Sequence, residues 1–290
     1  MLIETLKFIY NHPYNSDNKI GGLVKFIKWQ INCKLNPYPV VYQYTSNTKF
    51  LVWRGLAGAT GNIYCGLMEY EDMSFLLHFL RPDDLFFDIG ANVGAYTLLA
   101  AGEIGARTVS VEPVPTTFQF LSDNVSLNKL ENKVQLLNVG LGSKSGTIKF
   151  TKSLDAVNHV AIENESDTVD VIVKTMDEID SDIPLLIKID VEGFETEVLK
   201  GAKNILSNKK LKAIIIELNS LGNRYGYDEQ FIHNDLLNLG FKTYKYNPLK
   251  RELTSIESYG TQNTIYVRDE SFVIDRVSSG RKIKIGLKEI

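Results

Sequence analysis

From residue 85 onward, apolar residues gather into short unbroken runs separated by amphipathic stretches. LFFDIG (85–90), TVSVEP (108–113), VQLLNVG (134–140), PLLIKIDVEG (184–193) and LKAIIIEL (211–218) each read as a strand. Runs that are apolar almost throughout belong to a sheet covered on both faces, because a sheet with one wet face alternates. Between them, residues 95–105, 116–128 and 195–206 read as helices, and Asp228 to Leu239 as another with Asp228 at its N-cap. Phe241–Tyr246 and Thr264–Arg268 close the series as strands. This alternation predicts an α/β fold, a Rossmann-like, mostly parallel doubly wound sheet, over residues 81–268.

Residues 1–80 have another character. A helix is expected over Gly21 to Leu35, then two short extended runs, Val40–Tyr44 and Phe50–Trp53, joined by a polar turn. A glycine-rich passage (Gly55, Gly58, Gly61, Gly66) precedes an apolar-periodic stretch from Met73 to Leu80. This segment reads as a helix-and-hairpin extension packed on the core. Residues 141–183 interrupt the alternation with polar sequence and two strand-like pieces, Gly146–Phe150 and Val169–Lys174. An excursion of that length suits a lid or substrate loop. Residues 269–290 hold a short extended run, Lys282–Leu287, and read as a tail strand.

Composition narrows the class. The 290 residues carry 32 Lys+Arg against 35 Asp+Glu, a net charge of −3, which disfavours nucleic acid as a partner. Cys33 and Cys65 form no metal-spaced cluster and read as reduced thiols of a cytoplasmic protein. The first residues lack a basic n-region, and no apolar run reaches the ~18–20 residues of a membrane span. In 21–35, lysines interleave with Leu23, Phe26, Ile27, Trp29, Ile31 and Leu35. That pattern suits either a helix packed on the protein or a weak peripheral contact with the inner membrane face. Oligomeric state is not written in the sequence.

The strongest chemical signal is Asp88-Ile-Gly90-Ala-Asn92-Val-Gly94, which follows a strand and opens a helix. Glycines there let a ligand approach the backbone, and a helix N-terminus offers free N–H groups. On that reasoning Gly90→Val would abolish cofactor binding by filling the ligand's space. Glu112 ends the next strand at a distance suited to gripping ribose hydroxyls, so an adenosine-type cofactor is indicated. The dinucleotide pattern G-x-G-x-x-G is absent, and Asp88 would repel a pyrophosphate but attract the ammonium and sulfonium of S-adenosylmethionine. The second signal is Lys188-Ile-Asp190-Val-Glu192, whose ionisable residues share one face of a strand end, with Glu217 ending the neighbouring strand.

Taken in order, DIGANVG (88–94), VEPVPTTF (111–118), NVGLG (138–142), TMDEID (175–180), IKIDVEGFE (187–195), VLKGA (198–202) and IIIEL (214–218) resemble the FkbM-type S-adenosylmethionine-dependent methyltransferases. The resemblance implies a class I methyltransferase fold and O-methylation, commonly of a sugar hydroxyl in a polysaccharide, glycolipid or natural product, with S-adenosylhomocysteine as coproduct. It further implies that Asp88, Gly90, Asn92 and Gly94 form the cofactor loop, Glu112 and Pro113 meet the ribose, Asn138 and Val139 flank the adenine, and Asp190 lies near the acceptor.

Base candidates are His159, Asp190, Glu192 and Glu217; His159 stands out because its intrinsic pKa suits neutrality. Lys188 either orients a group of the acceptor or pairs with Asp190 or Glu217. Arg224 and Tyr225 are placed to meet the acceptor. A divalent metal on Asp190 and Glu217 is conceivable, but no dedicated ligand cluster is legible. Two alternatives remain. An NAD-dependent oxidoreductase would need the absent dinucleotide loop. A non-catalytic partner of a glycosyltransferase, docking through residues 1–60, would show a degraded one.

Overall fold

The computed structural model describes residues 2–154 and 157–290. Helices α1 (Leu2–Asn11) and α2 (Lys19–Leu35) are joined by a 3₁₀ turn, and the Asn18 side chain caps α2 by accepting from Gly21 N at 2.8 Å. The expected hairpin follows as β1 (Val40–Gln43) and β2 (Lys49–Val52), paired antiparallel. The glycine-rich passage forms helix α3 (Ala57–Cys65), followed by α4 (Tyr70–Phe79). Its glycines mark close approach: a Cβ on Gly58 would sit 2.8 Å from Asn92 Oδ1.

Then come β3 (Leu85–Ile89), a short α5 (Ala95–Thr97) continuing into a π-helical stretch (Leu98–Ile104), β4 (Arg107–Val111), α6 (Pro115–Leu127) and β5 (Val134–Leu137). The insertion forms its own three-stranded sheet: β6 (Gly140–Leu141) and β7 (Gly146–Thr151) flank β8 (Thr168–Lys174). The chain re-enters the core as β9 (Leu186–Ile189), α7 (Glu195–Lys200), α8 (Lys203–Ser207), β10 (Ala213–Glu217) and α9 (Glu229–Asn238). Asp228 caps α9, accepting from Gln230 N at 2.9 Å. Last are β11 (Lys242–Asn247), β12 (Glu252–Ser255) and β13 (Asn263–Val267). The segment read as a tail strand folds first as helix α10 (Glu270–Ser278), which buries Val273 and Val277, and only then as a short hairpin, β14 (Lys284–Ile285) and β15 (Lys288–Glu289).

The central sheet runs β12-β11-β13-β10-β9-β3-β4-β5. From β10 to β5 all neighbours are parallel; β13 pairs antiparallel with both β10 and β11, and β12 with β11. Both faces are covered. Phe86, Leu186 and Ile215 enter the core under α3, α4 and α10, while Phe87, Ile187 and Ile216 enter the opposite core with α7, α8 and α9. This two-sided burial is why the strands carry no polar alternation. Truncating a fully buried phenylalanine such as Phe86 would cost ~3–5 kcal/mol. Among the described residues no helix is long and apolar enough to cross a membrane. α2 buries Phe26 and Trp29 but leaves Ile20, Val24, Ile27, Ile31 and Leu35 exposed, Leu35 at 80%.

Candidate active site

The C-terminal ends of β3, β4, β9 and β10 border a cavity of about 280 Å³, at the edge where open α/β sheets place their ligands. The sheet order sets its geography. Glu112 and Pro113 beyond β4, and Val139 beyond β5, lie toward one end; Lys188, Asp190, Glu192 and Glu217, from β9 and β10, lie toward the other.

The glycine loop lines the cavity through Gly90, Ala91, Asn92 and Val93, but as a wall rather than a donor cradle. Its amides are already committed. Gly90 and Ala91 N–H donate to the Val111 carbonyl at 3.0 and 2.9 Å, and Gly94 N–H to the Ala91 carbonyl at 2.8 Å. Asn92 N–H donates to Glu112 Oε2 at 3.0 Å, and Val93 N–H to Asn92 Oδ1 at 2.7 Å. The loop amides from Gly90 to Gly94 are therefore not free for a ligand. Gly90 also needs correction. A Cβ on it would lie 1.7 Å from the Asp190 carbonyl oxygen, and its φ is +77°, so the space it keeps open belongs to the neighbouring strand end and not to a ligand. Gly94, at φ +95°, packs against Leu121.

Glu112 is the best placed of the residues expected to hold a cofactor. Besides Asn92 N–H, its other oxygen accepts from Val114 N–H at 3.0 Å. Each carboxylate oxygen thus has one backbone donor and a spare lone pair at the cavity, which fits a pair of ribose hydroxyls. Burial pushes this carboxyl up to about 7, against those two backbone hydrogen bonds that lower it. Val111, Val139 and Leu141 offer apolar surface on the same side. Asp88 behaves otherwise than expected. It is wholly buried beneath the loop and does not border the cavity; Oδ2 accepts from Thr97 Oγ1 at 2.6 Å, while Oδ1 has no partner. Asn138 is exposed and braces the backbone, donating to the carbonyls of Glu112 and Pro113 at 2.9 and 3.0 Å. It does not line the cavity.

At the other end, carboxylate oxygens of Asp190, Glu192 and Glu217 lie within 4.8 Å of one another. The sequence showed no such cluster, because Glu217 is distant in the chain and Glu192 reaches the site only through a left-handed turn at φ +55°. Buried Lys188 donates to Asp190 Oδ2 at 2.8 Å and sits 5.0 Å from the Tyr96 ring centre. Burial alone would lower its pKa, yet Asp190, Glu69 and Asp88 together raise it, so it stays charged. Glu192 is pushed up to about 7 by burial and by Asp190. Glu217 is driven further above the carboxylate range, first by burial and then by Asp190 and Glu192. The three oxygens have the donor type and spacing a divalent ion uses, although Lys188 already supplies one positive charge beside Asp190.

His159 is not at this site. Its Nδ1 lies 2.8 Å from the Val157 carbonyl and its Nε2 3.0 Å from Glu165 Oε1, so both nitrogens are spent holding the insertion together, and the ring does not border the cavity. Tyr225 likewise serves packing: its hydroxyl donates to the Val160 carbonyl at 2.7 Å, and the Arg224 guanidinium lies 5.9 Å from its ring. The insertion does reach the site, through Phe150, Val157 and Asn158. Sequence reasoning missed the contribution of residues 58–73. Gly58, Asn62, Met68, Glu69 and Met73 line the cavity, and Glu69 accepts from the Tyr96 hydroxyl at 2.5 Å. Three acids stand among residues 69–72, just ahead of the apolar stretch from Met73, and nothing in that local pattern marks Glu69 as facing a cavity.

The family model described as the methyltransferase FkbM domain matches residues 88–243, just over half the chain. A hexuronic acid methyltransferase, AglP, of Haloferax volcanii is 28% identical over 212 residues, 72% of this chain and 77% of that protein. Methyltransferase 1 of Beauveria bassiana is 30% identical over 148 residues, 41% of this chain and 59% of that one. The crystal structure of an FkbM methyltransferase from Methylobacillus flagellatus covers 71% of this chain at 19% identity and a TM-score of 0.46. This chain spans about half of that protein, 53% of its length.

Proposed function

The chain belongs to the FkbM family of methyltransferases, and we propose that it transfers a methyl group from S-adenosylmethionine to a hydroxyl of a sugar in a glycan or glycolipid. The observation that carries this reading is a cavity with Glu112 held ready at one end and a carboxylate cluster at the other. When bound, S-adenosylmethionine supplies an electrophilic methyl carbon on a positively charged sulfur. Glu112 holds the ribose hydroxyls. The acids at the β9–β10 end favour the cationic part of the cofactor electrostatically.

The carboxylate cluster would hold the acceptor hydroxyl and take its proton as that oxygen receives the methyl group, the electron pair of the carbon–sulfur bond staying with sulfur. Glu192 titrates near neutrality, where a general base works best. Lys188 holds Asp190 in place through its hydrogen bond to Oδ2. Sugar as the acceptor class is supported by the relative named for hexuronic acid. At this identity a natural-product hydroxyl is the competing acceptor, and a divalent ion on the cluster is the competing means of activating the hydroxyl. Two further features support a cytoplasmic protein at a membrane surface: both cysteines are free, and α2 presents an exposed aliphatic stripe.

The test joins binding to turnover. The purified chain should bind S-adenosylhomocysteine in a calorimetric titration and ignore NAD. With a glycan acceptor and labelled S-adenosylmethionine, Glu192→Gln should lower kcat by roughly 10²- to 10⁴-fold. Loss of activity with EDTA, restored by Mg²⁺, would move the role of the cluster from proton acceptor to metal site. Failure to bind S-adenosylhomocysteine would sink the proposal.

A further inference from the structure

A second cavity, of about 420 Å³, lies beside the first and shares Met68, Glu69 and Glu217 with it. Its far wall comes from the N-terminal extension: Phe8 and His12 of α1 and its following turn, and Tyr70, Glu71 and Asp72 of α4. We propose that this second cavity receives the acceptor, and that the acceptor sugar is uncharged or carries an amine rather than a carboxylate. The inference rests on the methyl-transfer reading and narrows its substrate.

Position comes first. A group in this cavity presents its hydroxyl to Glu69 and Glu217, the two acids that also border the cofactor cavity. Shape comes second. The Phe8 and His12 rings meet edge to face at 5.1 Å, and His12 and Tyr70 at 6.4 Å, giving the aromatic surface on which the C–H face of a pyranose packs. His12 is fixed: Tyr14 N–H donates to its Nδ1 at 3.2 Å, so Nε2 carries the proton and donates to the Met68 carbonyl at 2.9 Å. Burial lowers its pKa, so it brings no positive charge.

Charge decides the class. Four acids line the cavity, and no lysine or arginine does among the described residues. Asp72 is already pushed up to about 8, by burial and then by Glu69, so further negative charge is resisted. The Asn263 side chain hydrogen-bonds to Glu69 and Asp72, and its Oδ1 is buried with no partner.

The experiment is a titration of the full chain, loaded with S-adenosylhomocysteine, with methyl glucoside, methyl glucosaminide and methyl glucuronide, read by calorimetry and saturation-transfer NMR. The glucoside and glucosaminide should bind at least tenfold tighter than the glucuronide. Glu71→Lys, at an exposed position, should narrow that gap at least threefold. Phe8→Ala, also exposed, should weaken all three while leaving S-adenosylhomocysteine affinity intact. Glucuronide binding as tight as glucoside, or no sugar binding by a chain that holds S-adenosylhomocysteine, overturns the inference while the methyl-transfer reading stands. A chain that does not bind S-adenosylhomocysteine brings down both.

Discussion

Glu112 works for the fold and the site at once, and the two tasks conflict. Its carboxylate ties the glycine loop to the start of α6 through Asn92 and Val114, but burial makes its ionised form costly. Its folded value near 7 exceeds the ordinary 4.5, so between those values the folded chain holds more protons than the unfolded one. Stability therefore falls as pH rises through that window. Glu192 and Glu195, both near 7, and Asp72, near 8, act in the same direction. The cofactor-free protein should thus show a lower Tm at pH 8 than at pH 5.5. Glu112→Gln should recover part of that loss, on the order of 3 kcal/mol at about 1.4 kcal/mol per pKa unit. A Tm that is flat across this range, or unmoved by the substitution, would refute the account. Residue type alone misled at His159. A rare histidine in a polar insertion has the right intrinsic chemistry for a base, but nothing local reveals that Val157 and Glu165 take both its nitrogens.

Among elements, the central strands were the most legible. Each of β3, β9 and β10 sends successive residues into two different cores, and only unbroken apolar sequence can do that. β12 was not seen, because an edge strand reading Glu-Leu-Thr-Ser has one apolar residue to offer. α10 escaped because just two core residues, Val273 and Val277, one turn apart, carry its helical period. α3 had no element assigned to it because glycine content registers conformational freedom, whereas Gly58 and Gly61 are small to admit Asn92 and Met68. α2 carries a further expectation. Its exposed aliphatics recur at helical spacing opposite buried Trp29, Lys28 and Lys34 are also exposed, and no acid lies within the helix. An Ile27→Asp/Ile31→Asp double variant should co-sediment less with anionic vesicles, by tenfold or more, at unchanged Tm. If it sediments like the parent chain, the stripe is no membrane contact.

At the scale of the whole molecule, the site is assembled from segments that no local pattern links. Glu69 begins α4, Asp190 and Glu192 follow β9, and Glu217 ends β10. The two strand ends were legible as ligand-edge positions, because sheet topology puts them there. Glu69 was not, since its place depends on how α3 and α4 pack over the sheet. The N-terminal extension thus contributes walls to both cavities rather than only packing against the core.

The contact between Gly90 and the Asp190 carbonyl makes these segments mechanically one piece. A displacement of the loop beside Glu112 cannot be absorbed there; it is handed to the strand end that carries the acceptor-side carboxylates. The two substrates should therefore sense each other. If S-adenosylhomocysteine tightens sugar binding by some factor, the sugar must tighten S-adenosylhomocysteine by the same factor. Paired titrations in both orders would measure that factor, and a value of one would mean that the joint between β3 and β9 transmits nothing. A factor above one would make donor and acceptor bind cooperatively, as a property of a single glycine's missing side chain.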